Sequence, residues 1–315
     1  MTTVAPPAAT TPTRPAPSPR RARRLRRHAV AWLFLAPALV LFTVFKFIPM
    51  AHGIQMSFHD VRPYLGDEWV GLDNYARVLT DAVFLTAIKQ TVVLAVGQTV
   101  GSIVIGLLLA LLLEGAARHL WFVRTAVFLP TVVAMAVVAE VWRILYYPGE
   151  DGALNSVLSW FGAGPSQFLN DADSSLWSVM AVGIWRGAPY DMMIFIAGLA
   201  GVDRTLYEAA DVDGATIRQR LWHVTLPALR PVFVILLTLA AIRGLRVFTE
   251  IFLLTNGGPN GSTEVLMTLV YKLGLERSEL GVAAAGSVVL LLATVALTVA
   301  VRLVRARSDA KGARG

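Results

Sequence analysis

Six stretches of this chain are apolar for long enough to cross a lipid bilayer, and few folds accommodate that. A helix needs roughly 20 residues to span a hydrocarbon core of about 30 Å. The runs are 29–50, interrupted by Lys46; 91–113, with no charge at all; 125–143, which meets Glu140 and Arg143 near its end; 176–202, with Arg186 and Asp191; 231–254, with Arg243, Arg246 and Glu250; and 282–301. Of the 315 residues 56% are hydrophobic and only 16% charged. Such a composition points to lipid, and the expectation is an all-α membrane protein with six transmembrane helices over residues 29–301.

Orientation follows from the 28 lysines and arginines, because basic flanks are retained on the cytoplasmic side. The N-terminal tail, 114–124, 203–230 and the C-terminal tail together carry 18 of them, and the alternate segments 51–90, 144–173 and 255–281 carry 5. Both termini are therefore expected in the cytoplasm. The pI near 10.0 reports this topology and gives no reason to expect a nucleic-acid partner. Residues 1–28 combine six prolines with an arginine run, Arg20 to Arg27, which predicts a disordered tail whose charges lie against anionic lipid. The first apolar run ends in KFIPM with no small-residue cleavage site, so it reads as an uncleaved span, and 302–315 reads as a second basic tail.

The chemistry that needs a reactive side chain has little support. There are no cysteines, so thiolate metal sites, disulfides and sulfur nucleophiles are excluded. None of the four lysines follows a glycine, so no phosphate-cradling GxxxxGK[ST] loop exists. The five histidines form no pair at i+3 or i+4, and neither HExxH nor GxSxG occurs. We expect no catalytic residue, no metal site and no cofactor bound by this chain. Any drive from ATP has to come from another subunit.

Charges inside a membrane are costly unless paired or facing water, so each marks a place of interest. Glu140 and Arg143, spaced i, i+3, read as a structural ion pair. Arg246 and Glu250 are spaced i, i+4 with Arg243 a turn earlier, which predicts a polar seam along one helix. In WRGAPYD, Trp185, Arg186, Tyr190 and Asp191 surround Pro189, where a broken helix would free backbone groups. An aromatic ring beside hydrogen-bonding groups suits a sugar, so Trp185, Tyr190, Asp191 and Glu250 are candidates to line a solute path; helix packing with ion pairing is the other reading. GQTVG in the second run permits close helix approach.

The segment 203–230 differs from the other inward loops, with acids and bases in balance and regular punctuation. Asp203 can cap a first short helix, Gly214 supplies a turn, Thr216 can cap a second helix, and Pro227 ends it. This reads as a helical knob suited to docking. Its residues Glu208, Ala209, Ala210, Asp213, Gly214, Val224, Leu226 and Pro227 fall into a pattern of EAA, three residues, Gly, nine residues, then a branched aliphatic-x-Leu-Pro. On that pattern the chain resembles the permease subunits of ATP-binding-cassette importers, with Val224 where isoleucine is usual. Further pieces narrow the likeness to the carbohydrate-type permeases of the MalF, UgpA and LacF kind: LAPALVLFTVFKFIPM, VGLDNYARVLTDAVF, GALNSVL, and FTEIFLLTNGGPNGSTEVLMTLVYKLG. The segment between the first two spans is too short for the large extra domain of MalF itself.

The resemblance implies the type I importer permease fold and the import of a sugar, oligosaccharide, polyol or glycerol phosphate. It implies a second, MalG-like permease chain, two cytoplasmic ATPase subunits carrying ATP and Mg, and an extracytoplasmic solute-binding protein, all at the bacterial cell membrane. The pattern residues of 203–227 would contact the ATPase, with Glu208 as the charged contact. The alternative is an ion-coupled secondary transporter working through Asp191, Glu250 or Glu140.

Overall fold

The computed structural model describes residues 19–62, 66–115 and 117–312. The expected disordered tail lies, up to residue 18, outside the described residues; from Pro19 onward the chain is helical. Two compact units are present, Met1–Gly53 and Ile54–Gly315. The described residues of the first are helical: α1 (Pro19–Phe42), opened by a proline at a position where a missing N–H is harmless, passes through a π-helical segment, Thr43–Phe47, into the start of α2 (Ile48–Met56). Lys46 sits in the π-helical segment with its ammonium 5.8 Å from the centre of the Phe42 ring.

The second unit opens with a small antiparallel hairpin that the sequence did not signal, β1 (His59–Arg62) against β2 (Gly66–Trp69), followed by α3 (Asp73–Thr80). Asp81 then accepts a hydrogen bond from the Val83 amide and caps α4 (Ala82–Leu113), a 32-residue helix about 48 Å long at 1.5 Å per residue. Next come α5 (Arg118–Val132), α6 (Met135–Leu145), α7 (Ala153–Trp160) and α8 (Ala172–Leu199), the last capped by Asp171. The loop holds α9 (Arg204–Val212), α10 (Ile217–Arg220) and α11 (Leu226–Ala228). The chain closes with α12 (Arg230–Leu245), α13 (Thr249–Leu254), α14 (Leu266–Tyr271) and α15 (Leu280–Gly312).

Among the described residues three helices are long and apolar enough to cross a membrane unaided: Trp32–Met56, Ala82–Leu113 and Leu280–Leu303. Two expected spans are corrected. The third is broken after Val132, where Val133 and Ala134 are extended, and α5 and α6 meet at 99°. The fifth is broken after Leu245, because Arg246 to Phe248 leave the helix, so Glu250 stands on a separate element, α13. By contrast α8 runs unbroken through Pro189 for 28 residues, which corrects the expected interruption there. The proline removes one helix hydrogen bond without ending the helix, and it is buried in the packed interior.

All three apolar cores share α4. One joins Leu94 to Met135, Val138, Val179, Val182 and Ile251; a second joins Phe84 and Ala87 to Val78, Leu266, Leu269 and Val282; a third joins Ile103 and Ala110 to Met192, Phe195, Leu229 and Leu236. Close approach depends on glycine. A Cβ on Gly97 would fall 2.3 Å from the Met180 sulfur, and one on Gly244 would fall 2.6 Å from the Cα of Ala95.

Candidate functional site

Two places gather the residues that the sequence marked. The first is a cavity of about 690 Å³ walled by α4, α8, α12 and α13. Two of its wall residues, Gln98 and Arg186, are each near the middle of a long helix. Gln98, Thr99 and Ser102 come from α4, Arg186 and Tyr190 from α8, and Arg243, Arg246, Phe248 and Glu250 from the broken fifth segment.

The break in that segment redistributes its charges. The expected i, i+4 pair between Arg246 and Glu250 does not form; Glu250 instead meets Arg186 of α8 at 3.3 Å. Arg243 meets Asp191 at 2.8 Å and also lies over the Tyr190 ring, 5.1 Å from its centre. Asp191 has no exposed surface, so its charge is tolerable only because a guanidinium faces it. Glu140 and Arg143 do pair, at 3.0 Å, on the exposed side of α6.

Of the four path candidates, Tyr190 and Glu250 line the cavity. Asp191 lies behind its wall and holds Arg243. Trp185 faces elsewhere: it meets Trp142 edge-on at 5.4 Å and lines a separate apolar pocket of about 350 Å³ with Val133, Val137 and Pro130. Gln98, Thr99, Ser102 and Phe248 are wall residues that the sequence reading passed over. The signal for three of them was there, as polar side chains in an uncharged apolar run.

The second place is the loop. Asp203 accepts from the Thr205 amide, and those hydrogen bonds hold its carboxyl below its ordinary value. Gly214 has φ of +68°, the left-handed conformation that ends α9, and Thr216 with Gln219 forms a reciprocal cap on α10. Tyr207 and Thr225 share a hydrogen bond of 3.1 Å, and Arg220 pairs with Asp211, so the two helices are tied side to side. Pro227 does not end the second helix; it lies within α11, and the 63° bend comes at buried Leu229 before α12.

The pattern residues divide by exposure. Glu208, Ala209, Asp213 and Gly214 are exposed, Ala210 is half-buried, and Val224, Leu226 and Pro227 are half-buried against the body. Leu206, Val212, Ile217 and Trp222 are apolar and exposed, so the knob presents an apolar surface rimmed by charge.

A family model described as "Binding-protein-dependent transport system inner membrane component" matches residues 91–309. The chain belongs to that family. The permease is 34% identical over 274 residues to the probable ABC transporter permease protein YurN of Bacillus subtilis, covering 85% of this chain and 93% of YurN. It is 32% identical over 269 residues to the sn-glycerol-3-phosphate transport system permease protein UgpA of Agrobacterium fabrum, covering 85% and 91%. Its fold matches a chain from the crystal structure of a bacterial ABC transporter involved in import of the acidic polysaccharide alginate, with a TM-score of 0.80, 27% identity, and coverage of 91% and 99%. The type I permease fold and membrane residence expected from the sequence stand on these likenesses, and its relatives are transport subunits, not enzymes.

Three of the other segments that carried the family likeness hold clamps. Buried Asn74 of GLDNY donates to the Ser57 and His59 carbonyls, and buried Asn155 of GALNSVL donates to those of Tyr147, Gly149 and Ser166. In the long segment after the fifth run, Lys272 holds both the Asn256 carbonyl and the Glu264 carboxylate. These side chains replace regular secondary structure in loops that would otherwise leave buried backbone groups unpaired.

Proposed function

We propose that the permease carries a sugar or related solute through the membrane, paired with a MalG-like permease, two ATPases that hold ATP and Mg, and an extracytoplasmic binding protein. Six spans, counting the bent pair α5–α6, α8 and α12, would place both termini in the cytoplasm, in keeping with the clustering of arginines. The observation that carries this reading is the knob over 203–227: a charge-rimmed apolar projection, exposed at Glu208 and Ala209, on a chain whose family serves binding-protein-dependent transport. Closure of the ATPases would press on Glu208, Ala209, Ala210, Asp213 and Gly214. Val224, Leu226 and Pro227 would pass that movement to α12, and packed helices switch between discrete arrangements.

The solute would pass Tyr190 and Glu250, with Asp191 positioning Arg243 and Trp185 supporting α8 from its apolar side. Ion coupling through Asp191, Glu250 or Glu140 is the weaker reading, because an arginine engages each of the three carboxylates. The test is to purify the tagged chain from its native membrane in mild detergent and assay ATP hydrolysis with and without the binding protein. Recovery of a second permease and an ATPase, stimulated by the loaded binding protein, is expected. A chain that purifies alone and moves solute on an ion gradient would overturn the proposal.

A further inference from the structure

The cavity is electrically unbalanced, and the imbalance rests on one side chain. Its wall carries three guanidiniums, Arg186, Arg243 and Arg246, and one carboxylate, Glu250, with the Asp191 carboxylate buried behind. Arg186 is matched to Glu250 and Arg243 to Asp191. Arg246 is exposed on the wall, and no described residue bonds to its side chain. Helix pairing accounts for the first two arginines and leaves the third unexplained. An exposed arginine on a cavity wall that no helix pairing uses is free for a role outside packing.

Several neighbouring polar atoms also lack partners. The Gln98 side-chain amide nitrogen and Arg186 Nε, both on wall residues, are buried donors with no acceptor. Thr99 Oγ1 and Asp191 Oδ2 are buried and unpaired as well, so what distinguishes the wall is charge: the free guanidinium of Arg246 leaves cations in excess over carboxylates. A neutral sugar offers hydroxyls that both give and take hydrogen bonds, and it would leave the charge of Arg246 uncompensated. An oxyanion supplies acceptors and charge together, in the planar geometry that a guanidinium matches with two parallel N–H groups. Tyr190 and Phe248 on the same wall offer flat apolar faces to the rest of the solute.

From this we infer that the solute is a saccharide or polyol bearing an oxyanion, a carboxylate or a phosphate, and that Arg246 selects for it. The inference rests on the importer reading and narrows its substrate. It is tested on the whole complex, with binding followed by thermal shift and calorimetry. The probes form matched pairs: digalacturonate against galactobiose, and sn-glycerol 3-phosphate against glycerol. At least one acidic member should bind about tenfold more tightly than its neutral counterpart, with a preference that weakens as salt rises; which pair shows it separates carboxylate from phosphate. Arg246→Gln should abolish the preference and Arg246→Lys should keep part of it. Equal binding within both pairs would overturn the inference, as would a preference that survives Arg246→Gln. So would loss of the second permease in Arg246→Gln but not in Arg246→Lys, which would make Arg246 the partner of a carboxylate on that subunit. Failure of the importer reading is read separately, as wild-type ATP hydrolysis that ignores the binding protein.

Discussion

The knob over 203–227 and the cavity between α4, α8, α12 and α13 are built by opposite means. In the knob the caps and the turn act on near neighbours: Asp203 on Thr205, Thr216 on Gln219, Gly214 on its own backbone. In the cavity the decisive partners are far apart in sequence, with Arg186 meeting Glu250 and Arg243 meeting Asp191 across different helices. One region meets water and carries its structure locally. The other is assembled only when α4, α8, α12 and α13 pack, and it is where a lost partner costs most.

That contrast can be broken by experiment. The largest effect is expected from Glu208→Lys, which reverses an exposed charge on the knob: the protein should reach the membrane at normal levels while ATP-driven uptake is lost. Normal uptake would mean that the knob does not couple to the ATPase. Next comes Arg243→Ala, which strands the fully buried Asp191 carboxylate and should destabilise the folded chain by about 3–5 kcal/mol, seen as a lower thermal midpoint in detergent. Replacing both members with leucine should recover much of that loss, and if it does not, Asp191 has a role beyond its partner.

Smaller effects probe close approach and turn geometry. Gly244→Ala pushes a methyl group into the backbone of Ala95 and should cost about 1–3 kcal/mol, measured by thermal unfolding of the purified complex. Gly214→Ala forces a left-handed conformation on a side-chain-bearing residue at about 1–2 kcal/mol, and its damage should fall on coupling, with Gly214→Asn milder. The smallest effect concerns Asp203. Its carboxyl is held below its ordinary value, so the cap's contribution is complete above the unfolded pKa and disappears as pH falls through the lowered folded one. Protection of the α9 amides, relative to their intrinsic exchange rates, should fall over that acid range in the wild type and lose this step in Asp203→Ala.

What could be read in advance follows the same division. The apolar runs at 91–113 and 282–301 fall in α4 and α15, because burying the backbone in lipid requires helix wherever polar groups are absent. The Glu140–Arg143 pair was legible for a local reason, both residues lying within α6. The Arg246–Glu250 pair was misread on the same rule, because the rule assumes a continuous helix and the chain leaves it at Arg246. Trp185 and Tyr190, five residues apart on α8, face different pockets, a distinction of helix face that the short WRGAPYD segment did not resolve.

By itself, then, the sequence determined the membrane class, the knob with its caps and turn, and the family, since each depends on composition or on contacts a few residues apart. The tertiary structure alone decided where the third and fifth runs bend, which arginine meets which carboxylate, and that Arg246 is left facing the cavity. Ion pairing inside the membrane is settled by which helices lie side by side, and no spacing along one chain encodes that.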